Sequence, residues 1–217
     1  MLKNFSQSDY LITGAVRKEK FLDKQEKIYN SMYLLDNKGS ILNVYDKIHL
    51  VPFGEYIPFK NILPFKKLTN GFSDFSRGKK FEPIIISSLL SIGPLICYEV
   101  IFPSEAIKRN YRPDVFLNIT NDAWYGTTSG PFQHLAHAKM RAVEYGIPLV
   151  RVANTGVSAL VDPNGNIVKS LSLNKRGVID SFIPNALEPT IYSKFGNNIF
   201  WIIMILSVTI IFFKNKN

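Results

Sequence analysis

The chain has very little sulfur chemistry and few metal ligands: one cysteine, Cys97, and three histidines, His49, His134 and His137, among 217 residues. A single cysteine excludes an intrachain disulfide framework and leaves two readings of Cys97, a small buried apolar residue or a reactive thiol. His134 and His137 stand at i and i+3 in HLAH. A zinc site needs three or four converging ligands, and only His49 remains as a third imidazole, so no metal is expected and a structural hydrogen bond is assigned to His134. No long polar or repetitive stretch is present, which excludes an extended disordered region. The first ten residues, MLKNFSQSDY, contain no apolar core of a signal peptide.

Charge is unbalanced but not concentrated. The net charge is +9, yet the basic residues are scattered over Arg17–Lys27, Lys60–Lys80 and the tail after Phe213. No zinc-finger, RNP-like or helix-turn-helix signature accompanies them, so nucleic acid is not an expected partner. Attraction to an anionic membrane surface and a Lys- and Asn-rich composition both account for the excess.

One apolar run is conspicuous. Ile199–Phe213, IFWIIMILSVTIIFF, carries no charge and only Ser207 and Thr209 as polar residues. Extended to 196–213, it is expected to be a transmembrane helix, although the core of the run is shorter than the ~20 residues usually required. Trp201 and Tyr192 suit an interfacial belt, and Lys214 and Lys216 place the C-terminus in the cytoplasm. Residues 1–190 then form a single domain on the outer side of the membrane.

Apolar runs alternate with turn signals through that domain. Strands are expected at Tyr10–Val16, Ser31–Asp36, Ile41–Tyr45, Pro83–Ser87, Gly93–Cys97, Val115–Ile119, Leu149–Ala153, Ala159–Val161 and Ile167–Leu171. Asn37–Ser40 and Asp162–Asn166 carry the Asn, Gly and Pro of tight turns. Val51–Phe81 reads as an irregular excursion. Helices are expected at Phe102–Asn110, opened by Pro103, and at Pro131–Tyr145, with Phe132, Leu135, Ala138, Ala142 and Val143 on its buried face. The class is α/β.

Three segments carry chemistry. In GPLICYEVIFPSE an apolar strand delivers Cys97 to the start of a helix, where backbone N–H groups and the helix dipole favour thiolate. Core packing is the other reading. In YDKIHLVPFGEYIP, Lys47 follows a strand and Glu55 lies eight residues on. Lys47 suits an oxyanion and Glu55 suits its orientation, while a surface salt bridge fits the same spacing. The third segment, Asn121–Gly165, holds Trp124 and Tyr125 in a loop and the i, i+3 pair Arg141 and Glu144 on a helix.

The blocks KIHLVPFGEYIP, CYEVIFP, NDAWYG, GPFQHL, RAVEYGIP and RVANTGVSALVDPNG, in that order, resemble those of apolipoprotein N-acyltransferase, a member of the nitrilase (carbon–nitrogen hydrolase) superfamily. The resemblance covers most of residues 10–213. It implies a nitrilase-like α-β-β-α sandwich on the periplasmic side of a bacterial inner membrane, here truncated at its N-terminus and followed by one transmembrane helix. It implies Cys97 as a nucleophile that takes an acyl group from a phospholipid and passes it to the N-terminal diacylglyceryl-cysteine of an apolipoprotein. Lys47 would stabilise the oxyanion and Glu55 would support Lys47. Tyr98, Glu99 and Trp124 would shape the pocket. No cofactor is implied.

The family's general-base Glu, in a Pro-Glu motif upstream of the strand at Tyr10–Val16, has no counterpart in these residues, since Glu19 and Glu26 fall after that strand. The chain is therefore expected to be a fragment inactive alone, completed by an N-terminal half chain. A soluble amidase or nitrilase, and a non-catalytic remnant, are the rival readings.

Overall fold

A computed structural model describes residues 6, 8–20, 26–58, 74–79, 81–88, 90–103, 107 and 111–214. Two sheets lie face to face. The smaller has the order β1-β2-β3, formed by Leu11–Lys20, Glu26–Leu35 and Ile41–Asp46, all antiparallel. The larger runs β4-β5-β6-β7-β8-β9: Ile84–Ser87, Leu90–Ile96, Val115–Asn121, Leu149–Asn154, Ser158–Val161 and Ile167–Leu171. Its three central strands, β5, β6 and β7, are mutually parallel, and the outer pairings are antiparallel.

Two cores hold these layers together. Met32, Leu34 and Tyr45 from the small sheet meet Ile84, Ile92, Ile96, Val115 and Leu117 from the large one. On the other face of the large sheet, Phe116, Leu149, Ala159 and Val161 pack against helix α1, Gly130–Tyr145. Each fully buried Leu, Ile or Phe here is worth about 1.5–3 kcal/mol. The side chains of Ala138 and Ala142, one turn apart on α1, are small enough to let the helix axis approach the strands. The result is an α/β sandwich with the layers α1, large sheet and small sheet. Among the described residues no helix covers the outer face of β1–β3, where the fourth layer was expected.

Most expected elements form, with three corrections. Strand β1 runs past Val16 to Lys20, so Glu19 and Glu26 belong to strands rather than to a loop. An edge strand tolerates this charged half because its side chains pair across the sheet: Arg17 binds Asp46 at 2.7 Å and lies 4.3 Å over the Tyr29 ring. Secondly, the buried stripe of α1 is Pro131, His134, Leu135, Ala138, Arg141, Ala142 and Tyr145, leaving Phe132 and Val143 exposed. Hydrophobicity alone misassigns that face because two of its members are polar. Thirdly, the helix expected at Phe102–Asn110 falls mostly outside the described residues, and helical structure instead starts earlier, as a 3₁₀ turn at Cys97–Ile101.

The run expected to span a membrane is helical. After the short helix α2, Ile191–Phe195, it forms α3, Asn198–Lys214. At 17 residues α3 is about 25 Å long, short of the ~30 Å hydrocarbon layer. Among the described residues no helix is long and apolar enough to cross a membrane, which corrects the expectation of a transmembrane helix at 196–213. Every side chain of α3 from Ile199 to Phe213 is exposed.

Candidate active site

The parallel strands end on one edge of the sheet, the edge where α/β proteins commonly place ligands. Cys97 directly follows β5, and Asp122 directly follows β6. Cys97 is half-buried and has φ of +52°, the left-handed region. For a residue with a Cβ this conformation costs about 1–2 kcal/mol. It persists only where its surroundings fix it, which is common at functional sites. The sharp reversal turns the strand into the 3₁₀ turn and presents the side chain at the sheet edge, as a nucleophile elbow does.

Lys47 directly follows β3. Its backbone is fixed on both sides: the N–H donates to the Asn30 carbonyl and the carbonyl accepts from Gly78 N–H, each at 2.8 Å. Its side chain is only 1% exposed and the ammonium donates to Glu55 Oε2 at 2.8 Å. The pair is therefore not the surface salt bridge that the spacing alone also allowed. Glu55 is fully engaged: Oε2 also accepts from Val51 N–H at 2.8 Å, and Oε1 accepts from the Asn30 amide at 3.0 Å. An ammonium has three donors, so one bond to Glu55 leaves two to serve an incoming oxyanion.

Glu99 joins the two halves of the site. Oε1 accepts from Ile48 N–H at 2.7 Å, His49 N–H at 3.1 Å and the Tyr45 hydroxyl at 3.0 Å, while Oε2 accepts from Ile96 N–H at 2.7 Å. The residue after Lys47 and the residue before Cys97 thus bind opposite oxygens of one carboxylate. Burial raises the Glu99 carboxyl above its ordinary range, against the pull of those backbone donors and of the Lys47 charge. Its place is between the loops, as a strut. Tyr98 follows Cys97 in an aromatic group: its ring meets Phe102 edge-on at 5.0 Å, and Phe102 stacks on His49 at 3.7 Å.

The turn after β6 contributes differently from what its aromatic residues promise. Trp124 is 65% exposed. Tyr125 faces inward, its ring 5.8 Å from that of His134. Burial, with electrostatic repulsion from Cys97 and Asp122, raises the Tyr125 phenol above its ordinary range. Behind Cys97 lies a buried polar group that the sequence reading did not assemble. His134 Nε2 is 3.1 Å from the Cys97 carbonyl and Nδ1 is 2.9 Å from Asp122 Oδ1. Arg151 donates to Asp122 Oδ2 at 2.6 Å and to Asn118 Oδ1. A sequence signal did exist, since Asn118 and Arg151 interrupt the otherwise apolar strands VFLNIT and LVRVAN. His134 bonds through both ring nitrogens, as its expected structural role requires, and neither is free for a metal. Among the described residues no cluster of three or more His, Cys, Asp or Glu could hold one.

This arrangement, a thiol at a strained strand end joined through Glu99 to the loop of a buried Lys–Glu pair on a two-sheet sandwich, has known counterparts. The carbon–nitrogen hydrolase family matches residues 7–192. The chain belongs to the carbon–nitrogen hydrolase family. Among solved structures of this fold, a carbon–nitrogen hydrolase from Helicobacter pylori G27 superposes with a TM-score of 0.53 at 20% identity, covering 75% of this chain and 57% of that one. An amidase from Nesterenkonia sp. AN1 gives 0.53 at 24%, covering 76% and 60%. Closer in sequence are family members named apolipoprotein N-acyltransferase. That of Rickettsia prowazekii is 50% identical over 95% of this chain, and that of Rhodopseudomonas palustris 49% identical over 86%. The chain spans 41% and 36% of the length of these two relatives.

Proposed function

We propose that this chain carries the thiol centre of an apolipoprotein N-acyltransferase. The Cys97 thiolate attacks the carbonyl carbon of a phospholipid acyl ester, forming a C–S bond. Collapse of the tetrahedral intermediate breaks the ester C–O bond and releases a lysophospholipid, which takes up a proton. The α-amine of a diacylglyceryl-cysteine then attacks the thioester, forms the amide and returns the thiol. Lys47 supplies positive charge to the oxyanion in both halves, and Glu55 holds Lys47 in place. Tyr98 and Trp124 border the acyl path.

The observation that carries this reading is the Glu99 strut, which ties the Lys47 loop and the Cys97 turn into one unit. The likeness to relatives named apolipoprotein N-acyltransferase over nearly the whole chain supports acyl transfer over amide hydrolysis. Glu55 and Glu99 are both committed to several donors, so neither is placed to take the Cys97 proton. The proton acceptor is a carboxylate other than these two, and without it the chain is inactive toward phospholipid. The apolar α3 inserts into lipid and holds the domain at the outer face of an inner membrane.

The test is the intact mass of the detergent-purified chain after incubation with phospholipid, alone and after coexpression with the N-terminal part of the Rickettsia prowazekii relative. An acyl-sized increase on the coexpressed chain, lost in Cys97→Ala, supports the reading. Conversion of a simple amide to ammonia without acyl transfer to a lipopeptide would replace it with an amidase.

A further inference from the structure

We propose that His134 is a positioning residue for Cys97: by donating to the Cys97 carbonyl it holds the nucleophile's backbone in the left-handed conformation. The inference rests on the reading of Cys97 as nucleophile. A carbonyl oxygen can only accept, so at 3.1 Å His134 Nε2 must carry the proton that joins them. The other ring nitrogen lies 2.9 Å from Asp122 Oδ1, a carboxylate that can only accept, so Nδ1 donates to it. Asp122 is held in turn by Arg151 at 2.6 Å and by the Thr120 hydroxyl at 3.0 Å.

The connections form a closed circuit around the elbow. Arg151 binds Asn118, and the Asn118 amide donates at 3.0 Å to the carbonyl of Leu95, two residues before Cys97. The circuit thus grips the chain on both sides of the point where φ turns positive. Its members come from β5, β6, the turn after β6, α1 and β7, so the whole sheet edge is recruited to one peptide carbonyl. His134, Asp122, Arg151 and Asn118 are all at most 3% exposed. Buried charged groups are generally no more stabilising than well-packed apolar ones of similar volume, so stability alone does not account for this set. A fixed backbone direction does, because an attacking atom displaced by about 1 Å loses roughly a hundredfold in rate.

Cys97 is the only cysteine, so labelling with [1-¹³C]cysteine gives one carbonyl resonance that reports its hydrogen bond. The full chain in detergent is compared with His134→Ala, His134→Gln and Leu135→Ala, the last a buried α1 substitution outside the circuit. The same four proteins are acylated with p-nitrophenyl butyrate, in which the thiolate forms the C–S bond and p-nitrophenolate leaves. The expected result is a shifted resonance and about a tenfold slower acylation in His134→Ala, equivalent to about 1.4 kcal/mol. His134→Gln, whose amide can still donate, recovers both. Leu135→Ala, at a comparable loss of Tm, changes neither. An unmoved resonance in His134→Ala overturns the proposal, as does an equal loss of rate in Leu135→Ala. If the unsubstituted chain is not acylated by this ester, the resonance alone decides whether His134 holds the Cys97 carbonyl, while the nucleophile reading stands or falls on the coexpressed protein.

Discussion

Removing the carboxylate of Glu55 strands the Lys47 ammonium in a site where its side chain is 1% exposed. Breaking a buried pair by deleting one partner costs about 3–5 kcal/mol, because the remaining charge keeps its desolvation penalty without its partner. Glu55→Ala also frees the Val51 N–H and the Asn30 amide, which bond to the same carboxylate at 2.8 and 3.0 Å. Each lost bond adds about 1 kcal/mol unless water replaces it. Set against a total stability of about 5–15 kcal/mol, this is a large fraction. At about 2–4 °C per kcal/mol for a chain of this size, Tm falls by roughly 6–28 °C. The double substitution Lys47→Met with Glu55→Leu removes both charges and recovers most of the loss. Thermal melts followed by circular dichroism in detergent measure both proteins. A Glu55→Ala cost below about 1 kcal/mol, the range of exposed ion pairs, would refute the buried-pair reasoning.

Other consequences follow from single atoms. A Cβ on Gly156 would lie 2.7 Å from the Asp122 Cβ and Cγ, so Gly156→Ala should displace the carboxylate and destabilise by about 1–3 kcal/mol in urea titration; an unchanged midpoint would mean that the β7–β8 turn yields freely. Because Cys97 has φ of +52°, Cys97→Gly should be more stable than Cys97→Ala by about 1 kcal/mol, reversing the order found at extended positions, and the reverse order in melts would place Cys97 outside the left-handed region. Burial pushes the Asp122 carboxyl up, but the His134 hydrogen bond and the Arg151 charge outweigh it and hold the group below its ordinary value. Its stabilisation is present above the unfolded pKa of about 3.9 and is lost as pH falls through the lower folded value. Asp122→Asn should therefore lower stability at pH 7 and flatten the acid limb of a stability–pH curve, and an unflattened limb would assign that limb to other carboxylates.

How much of this was legible in sequence depends on the kind of signal. Strands β4 to β9 and helix α1 were readable because short apolar runs are bounded by Gly, Pro and Asn, and because α1 is opened by Pro131 and closed by Gly146 with φ of +64°. The charged end of β1 was not readable, since Arg17–Lys20 looks like a loop until Asp46 and Tyr29 are brought alongside it. Lys47, after a strand, and Glu55, eight residues on, were singled out with a surface salt bridge as the other reading, because their burial is a tertiary property that spacing cannot carry. Cys97 was singled out at a strand-to-helix junction, but the 3₁₀ turn begins at the cysteine itself rather than at Pro103. The His134–Asp122–Arg151 group escaped because its members lie on three different elements. Only the odd polar residue in an apolar strand marked it.

The central claim is that Cys97 becomes acylated by phospholipid once a proton acceptor is supplied. Peptide mapping of the chain coexpressed with the N-terminal part of the Rickettsia prowazekii relative tests it most directly. The account predicts a hydroxylamine-sensitive acyl group on Cys97, absent from the isolated chain and from Lys47→Ala. A coexpressed chain that stays unmodified, or an acyl group that persists in Cys97→Ala, would contradict it.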